Sequence, residues 1–141
     1  YYVVDGVVPR SILPAVLREV GEVGRRYDLP IANVFHAGDG NLHPLILFDA
    51  EKPGELERVK EAGAEIMRIC LKHGGTLSGE HGIGVEKRDL MPEVFSDCDL
   101  EQMLRVKHAL DPDGRCNPGK VFPTPGQCAE IVPHPVAGLG W

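Results

Sequence analysis

Long apolar runs are missing from this chain of 141 residues. The longest have four, such as Leu45 to Phe48, far short of the ~20 that a membrane-spanning helix needs. Basic charge is scarce too. Fifteen Lys+Arg against 21 Asp+Glu leave a formal net charge of −6, which argues against a nucleic-acid or anionic-membrane surface. No C-x-x-C pair occurs among Cys70, Cys98, Cys116 and Cys128, so a zinc ribbon or a thioredoxin motif is not expected. No basic–apolar–small leader opens the chain, and Tyr1 is not an initiator Met; it reads as a piece of something longer. Without a leader, a reducing cytoplasm is the expected compartment and a disulfide framework is disfavoured. There is no internal repeat. The 17 Gly and 12 Pro fall as punctuation between periodic segments, which excludes collagen and a structureless linker.

What is present is a globular pattern. Residues 2–8 (YVVDGVV) are β-prone. Ser11 offers an N-cap, Pro14 suits a first helical turn, and Leu13, Val16, Leu17, Val20, Val23 and Tyr27 recur at helical spacing, giving a helix over about 12–27. Residues 30–48 read as two strands around Asp39-Gly40, a type I′ hairpin signal. A second helix follows over 54–73, with Leu56, Val59, Gly63, Ile66 and Ile69/Cys70 on one face, and Gly74-Gly75 closes it. A short strand over 76–80, a short helix over 86–94 and a third helix over 98–110, starting near Asp97 or Asp99, complete the order. DPDG, NPGK, Pro123 and Pro125 then signal turns. Residues 1–123 therefore form the expected domain, and 124–141 an irregular tail. The order β-α-β-β-α-β suggests an α+β, ferredoxin-like antiparallel sheet with helices on one face.

The sharpest local pattern is His36-Ala-Gly-Asp-Gly-Asn-Leu-His43. With Asp39-Gly40 as the turn, His36 is expected to face His43 directly, on a side shared with Val34 and Leu45. Two imidazoles so placed can bind one metal ion, or they can be hydrogen-bonded side chains capping a strand pair; the pattern leaves both open. Pro44 cannot donate to a ladder, so this strand is expected at an edge, or with Pro44 facing away from its neighbour.

The second pattern is Gly79-Glu80-His81-Gly82-Ile83-Gly84. Adjacent residues on a regular strand point to opposite faces, but flanking glycines let the backbone leave strand geometry, so Glu80 and His81 can serve one site in different roles. Two histidines and a carboxylate form a three-ligand metal set with an open position. His81 remains as a general base, since imidazole titrates near neutrality. A Gly-rich turn with exposed polar residues explains the same letters. The spacing is not a Rossmann fingerprint, and Ala50 stands where a calcium loop beginning at Asp39 would need its acid.

Other candidates carry less. His73 at the end of the second helix suits the helix dipole, His108 a solvated face, and His134 the tail. Lys87 or Arg88, just after the Glu80-His81 loop, could reach an anionic substrate.

Three segments together, HAGDGNLHP (36–44), SGEHGIGVEKRDLM (78–91) and LDPDGRCNPGKVFP (110–123), resemble the C-terminal part of FAD-linked 2-hydroxy-acid oxidases and dehydrogenases. That group, related to vanillyl-alcohol oxidase, includes the bacterial glycolate oxidase flavin subunit, to which the likeness is strongest, as well as D-lactate and D-2-hydroxyglutarate dehydrogenases. The resemblance implies a cap or substrate domain, with FAD bound mainly by a separate N-terminal domain that these residues do not include. The isolated chain is then expected to lack turnover. It implies His36, His43 and Glu80 as ligands of a divalent metal, zinc the expected ion, His81 as the base, and Asn117 near the flavin. Leu45 stands where some dicarboxylate-specific relatives have Asn, which fits a small monocarboxylate such as glycolate or lactate. The resemblance also implies other glycolate oxidase subunits as partners, one of them iron–sulfur, and a peripheral place at the inner membrane face. The competing classes are a zinc-dependent hydrolase, which needs no flavin, and a non-catalytic interaction domain.

Overall fold

The structure, a computed structural model, describes residues 1–123. The tail over 124–141, with Cys128 and His134, lies outside the described residues. Two compact units are present: Tyr1–Ile83, and the residues from Gly84 onward.

In the first unit, β1 (Tyr2–Val3) and β2 (Gly6–Val7) precede α1 (Leu13–Tyr27), β3 (Ile31–His36), β4 (Asn41–Ile46) and α2 (Glu55–Lys72). All strand pairings are antiparallel and all run through β4, with β1 and β2 on one side and β3 on the other. The unit is therefore α+β, as expected, but β4 is the central strand and not an edge.

Pro44 explains how a proline sits there. Tyr2 pairs with Ile46 and Val3 with Leu45, and the same register resumes with Gly6 on Leu42 and Val7 on Asn41. The ladder is interrupted only at Val4 and Asp5. Val4 N donates to Pro44 O at 3.1 Å, and the return bond is the one a proline cannot give. The single strand expected over 2–8 is thus split into β1 and β2 where it meets the missing donor.

The two faces of the sheet differ. A side chain built at Gly6 would lie 2.7 Å from Cys70 Sγ on α2, and one at Gly63 of α2 would lie 2.8 Å from the Tyr2 ring and 3.5 Å from Val4. Tyr2, Val4 and Gly6 therefore face the helices, and by the strand's two-residue period so do their partners Leu42, Pro44 and Ile46. Val16, Val20 and Val23 of α1 and Val59, Ile66 and Cys70 of α2 are fully buried in that core. Leu56, expected on the same stripe, is instead 38% exposed. Asp5, Val7, Asn41, His43, Val34 and His36 belong to the opposite face.

Element ends follow local chemistry. Ser11 does not cap α1; residues Arg10–Ile12 form a 3-10 turn and Ile12 occupies the cap, with Pro14 in the first turn. α2 ends at Lys72, and the chain leaves through Gly74 at φ 75°. The strand expected over 76–80 reduces to one bridge, Thr76 to Val7. Beyond it the backbone turns inward to hydrogen-bond a side chain instead of a neighbouring strand.

In the second unit, a 3-10 segment spans Arg88–Glu93, in place of the expected short α-helix, and α3 spans Asp97–Leu110. Ser96 and Asp99 cap α3 reciprocally, each side chain bonded to the other's backbone N–H. Asp111 gathers the following turn: its carboxylate accepts from Lys107 Nζ (2.8 Å), Arg115 N (2.8 Å) and Cys116 N (2.9 Å). Cys98 and Cys116 are exposed free thiols, and Cys70 is buried on α2.

Candidate metal centre

The hairpin is where expectation and structure part. A type I′ turn needs positive φ at both Asp39 and Gly40, but only Gly40 has it, at 73°. Asp39 N donates to His36 O (3.0 Å), and residues 37–40 form a four-residue loop. Gly40 O accepts from Val8 N at 3.0 Å, and a side chain built at Gly40 would fall 2.1 Å from Val8 O. The backbone after β2 thus pins Gly40 as the last loop residue, and pairing resumes at Asn41. His36 pairs with Asn41 and His43 with Val34. The expected direct opposition of His36 and His43 is not formed. They remain on one face as diagonal neighbours, with ring centroids 5.4 Å apart and planes at 87°.

The loop after Thr76 brings the other groups to this face. Glu80 Oε1 lies 3.1 Å from His43 Nε2, 3.9 Å from His36 Nε2 and 3.7 Å from His81 Nε2. His81 stacks on His43, centroids 4.9 Å apart and planes 17° from parallel. One carboxylate oxygen is thus surrounded by three imidazole nitrogens. The His43 side chain is 9% exposed and forms the floor; His36, Glu80 and His81, at 57%, 51% and 48%, form an open rim.

Asn41 lies beside them. Its Nδ2 is 3.4 Å from His43 Nε2, while its Oδ1 and His43 Nδ1 are buried without a hydrogen-bond partner among the described residues.

These donors suit a divalent cation. Ligand atoms of His36, His43 and Glu80 all lie within 4.8 Å of one another. Metal–nitrogen and metal–oxygen bonds of ~2.1 Å at tetrahedral angles put donor atoms ~3.4 Å apart. The 3.1 and 3.9 Å separations bracket that distance.

The remaining candidates each have their own surroundings. His73 bonds Glu19 across α1 and α2, and that hydrogen bond, with help from Lys72, lowers the Glu19 pKa below its ordinary value. His108 is half-buried on α3. Lys87 is buried, and Arg88 donates to Gly119 O (2.9 Å) and pairs with Asp89. Asn117 belongs to the second unit, exposed at φ 46° on the turn whose Lys120 N reaches Asn117 O, while the next residue, Val121, bonds Gly84 O at 2.8 Å.

The sequence reading did not single out Asp5, fully buried beneath the loop that carries Glu80, nor Asn41 beside the histidines. The signal for Asp5 was available: an acid inside the apolar stretch YVVDGVV is seldom buried without partners.

Residues 1–121 match the family model described as FAD linked oxidases, C-terminal domain. The chain belongs to this family. Among curated relatives, it is 52% identical over 131 residues to glycolate oxidase subunit GlcD of Escherichia coli (strain K12), covering 93% of this chain and 26% of that one. It is 39% identical over 123 residues to the probable mitochondrial D-lactate dehydrogenase of Danio rerio, covering 86% and 24%. It is 37% identical over 118 residues to D-2-hydroxyglutarate dehydrogenase of Stutzerimonas stutzeri (strain A1501), covering 78% and 25%. The chain thus spans about a quarter of each of these relatives. No helix among the described residues is long and apolar enough to cross a membrane.

Proposed function

We propose that this chain supplies the metal and substrate site of an FAD-dependent 2-hydroxy-acid oxidoreductase of glycolate oxidase type. The carrying observation is the meeting of His36, His43, Glu80 and His81 on the sheet face turned away from the helices, in a chain of the FAD-linked oxidase family.

His36, His43 and Glu80 would hold a divalent metal, zinc being the ion proposed, and leave positions open for substrate. The metal supplies Lewis-acid stabilisation of the ionising hydroxyl and a fixed point for the carboxylate. FAD, held mainly outside these residues, would supply the hydride acceptor, and Asn117 would be the residue of this chain that meets it. Asn117 suits such a contact, being exposed on a turn whose backbone is tied to Gly84 through Val121.

The protein's own work is orientation and proton transfer. His43, nearly buried, fixes the depth of the site. His36 and Glu80 close two sides and leave the third open to solvent, where a small hydroxy acid enters. His81 is held by its stack on His43, so its Nε2 stays beside the ligand set and takes the substrate hydroxyl proton. With bound FAD available to take up the C2 hydride, the hydroxyl proton would pass to His81 and the alcohol carbon would become the carbonyl of a 2-oxo acid. Leu45, two positions after His43, offers no polar group to a second carboxylate, which favours monocarboxylates such as glycolate and lactate. Partner subunits, including an iron–sulfur subunit, and a place at the inner membrane face belong to the same proposal, resting on the glycolate oxidase likeness alone.

The test is metal analysis of the purified flavoprotein beside His43→Ala, with anaerobic bleaching of the flavin by glycolate and D-lactate. One metal per site in the wild type, its loss in His43→Ala, and bleaching that fails in His81→Ala are expected. Equal metal content in both proteins, or no bleaching of the wild type by any 2-hydroxy acid, would overturn the reading. A zinc hydrolase would cleave esters or amides with no flavin present.

A further inference from the structure

We propose that Asp5 is a positioning residue for both Glu80 and His81, a role that rests on the metal-site reading above. Asp5 is fully buried. It stands in the gap between β1 and β2, next to Val4, which bonds Pro44, and so beside the stretch of β4 that carries His43. Its carboxylate accepts hydrogen bonds from three consecutive backbone N–H groups: Gly79 at 3.1 and 3.0 Å to its two oxygens, Glu80 at 3.3 Å and His81 at 3.1 Å. Ser78 Oγ donates to it at 2.7 Å and in turn accepts from Gly82 N at 2.7 Å.

The geometry matters because a strand cannot make it. Along an extended chain, successive N–H groups point to alternate sides, and so do successive side chains. Three consecutive N–H groups aimed at one carboxylate mean that the backbone is wound around Asp5. That winding lets neighbouring residues serve one site. Glu80 reaches His43 Nε2 at 3.1 Å while His81 stacks on the same imidazole. Neither side chain is itself packed tightly, each being about half exposed. Their placement therefore comes from the backbone beneath them, and Asp5 is the group that holds that backbone. Hydrogen bonds from N–H groups to a carboxylate are charge-assisted and about twice as strong as neutral ones. An amide at position 5 keeps the shape, loses the charge and turns N–H against N–H.

Zinc affinity of the metal-stripped flavoprotein, measured by competition with a chromophoric chelator, tests this alongside the melting temperature. Support-residue losses at metal sites run about 10–100-fold, and Asp5→Asn is expected to weaken zinc by that factor in protein that is still folded. Ser78→Ala removes one donor and spares the carboxylate, so a smaller loss in the same direction is expected. A purely structural Asp5 would lower the melting temperature and leave the zinc affinity of the folded protein as in the wild type; that result overturns the proposal. Should Asp5→Asn not fold, Ser78→Ala decides, and wild-type affinity in it overturns the proposal equally. His43→Ala separates the two levels. If it loses zinc while folded Asp5→Asn does not, the positioning role fails and the metal site stands. If the wild type binds no zinc, both fail.

Discussion

Three glycines near the histidine site are expected to respond differently to one added methyl group. At Gly79, an alanine Cβ would lie 2.6 Å from Val7 Cγ2 and 2.8 Å from both Asn41 Cγ and Nδ2. These are not yielding neighbours. Val7 belongs to β2, and Asn41 is 6% exposed in the central strand. Relief requires the loop to move off the sheet, and overpacking of this kind costs about 1–3 kcal/mol. Gly82 has open space around it but a φ of 81°, which an L-residue adopts at a cost of about 1–2 kcal/mol. Gly38, in the hairpin loop, has neither constraint: no atom lies within 4 Å, and its φ is not among the positive ones. Gly38→Ala should stay within about 0.5 kcal/mol of the wild type.

Urea unfolding of the three alanine variants gives the measurement, read from midpoints at constant slope. Zinc affinity adds a second axis. The Asn41 amide that Gly79→Ala would displace sits 3.4 Å from His43 Nε2, so this variant should lose affinity as well as stability. Gly38→Ala should lose neither. If Gly79→Ala unfolds at the same urea concentration as Gly38→Ala, the close approach of the loop to Val7 and Asn41 is wrong, and with it the placement of Glu80.

Ile66→Ala should destabilise by about 2–5 kcal/mol, because Ile66 is fully buried beneath the sheet, and a loss under ~1 kcal/mol in urea would contradict that packing. Ser96→Ala should cost about 0.5–2 kcal/mol, seen as faster amide exchange in the first turn of α3, since Ser96 Oγ accepts from Asp99 N and the Asp99 carboxylate from Ser96 N. Asp111 is pulled from an ordinary 3.8 to about 2, chiefly by the Lys107 hydrogen bond and then by Cys116 N–H. Its folded pKa is depressed, so its stabilisation is complete above the unfolded value and is lost as pH falls from about 4 towards 2. A carboxyl 13C titration should place its midpoint near 2, and Lys107→Met should raise it; a midpoint at the ordinary value in the wild type contradicts the geometry.

The helices were legible because their information is local. The apolar spacing of α1 and α2 and the double glycine after α2 reproduced their ends to within a residue or two. Two local expectations failed, the Ser11 cap and the α-helix over 86–94, but the failures at the site were long-range. Asp39-Gly40 carries a two-residue turn signal, yet Val8, more than thirty residues upstream in sequence, claims Gly40 and sets a longer loop. The residues 76–80 look like a strand by composition, but Asp5 gathers their N–H groups before a ladder can. Pro44 reads as an edge marker, because no sequence pattern says that the facing strand will break at Val4 and Asp5 to accommodate it.

The last two of these departures meet at one stretch of chain. The interruption that admits Pro44 into the central strand falls at Val4 and Asp5, and the Asp5 carboxylate is the group that the N–H groups of Gly79, Glu80 and His81 reach. A donor at position 44 would meet Val4 O and would leave the Asp5 side chain untouched, since ladder bonds are made by backbone groups. The ladder and the loop thus use different atoms: the backbone of Val4 meets β4, and the side chain of Asp5 meets residues more than seventy positions away.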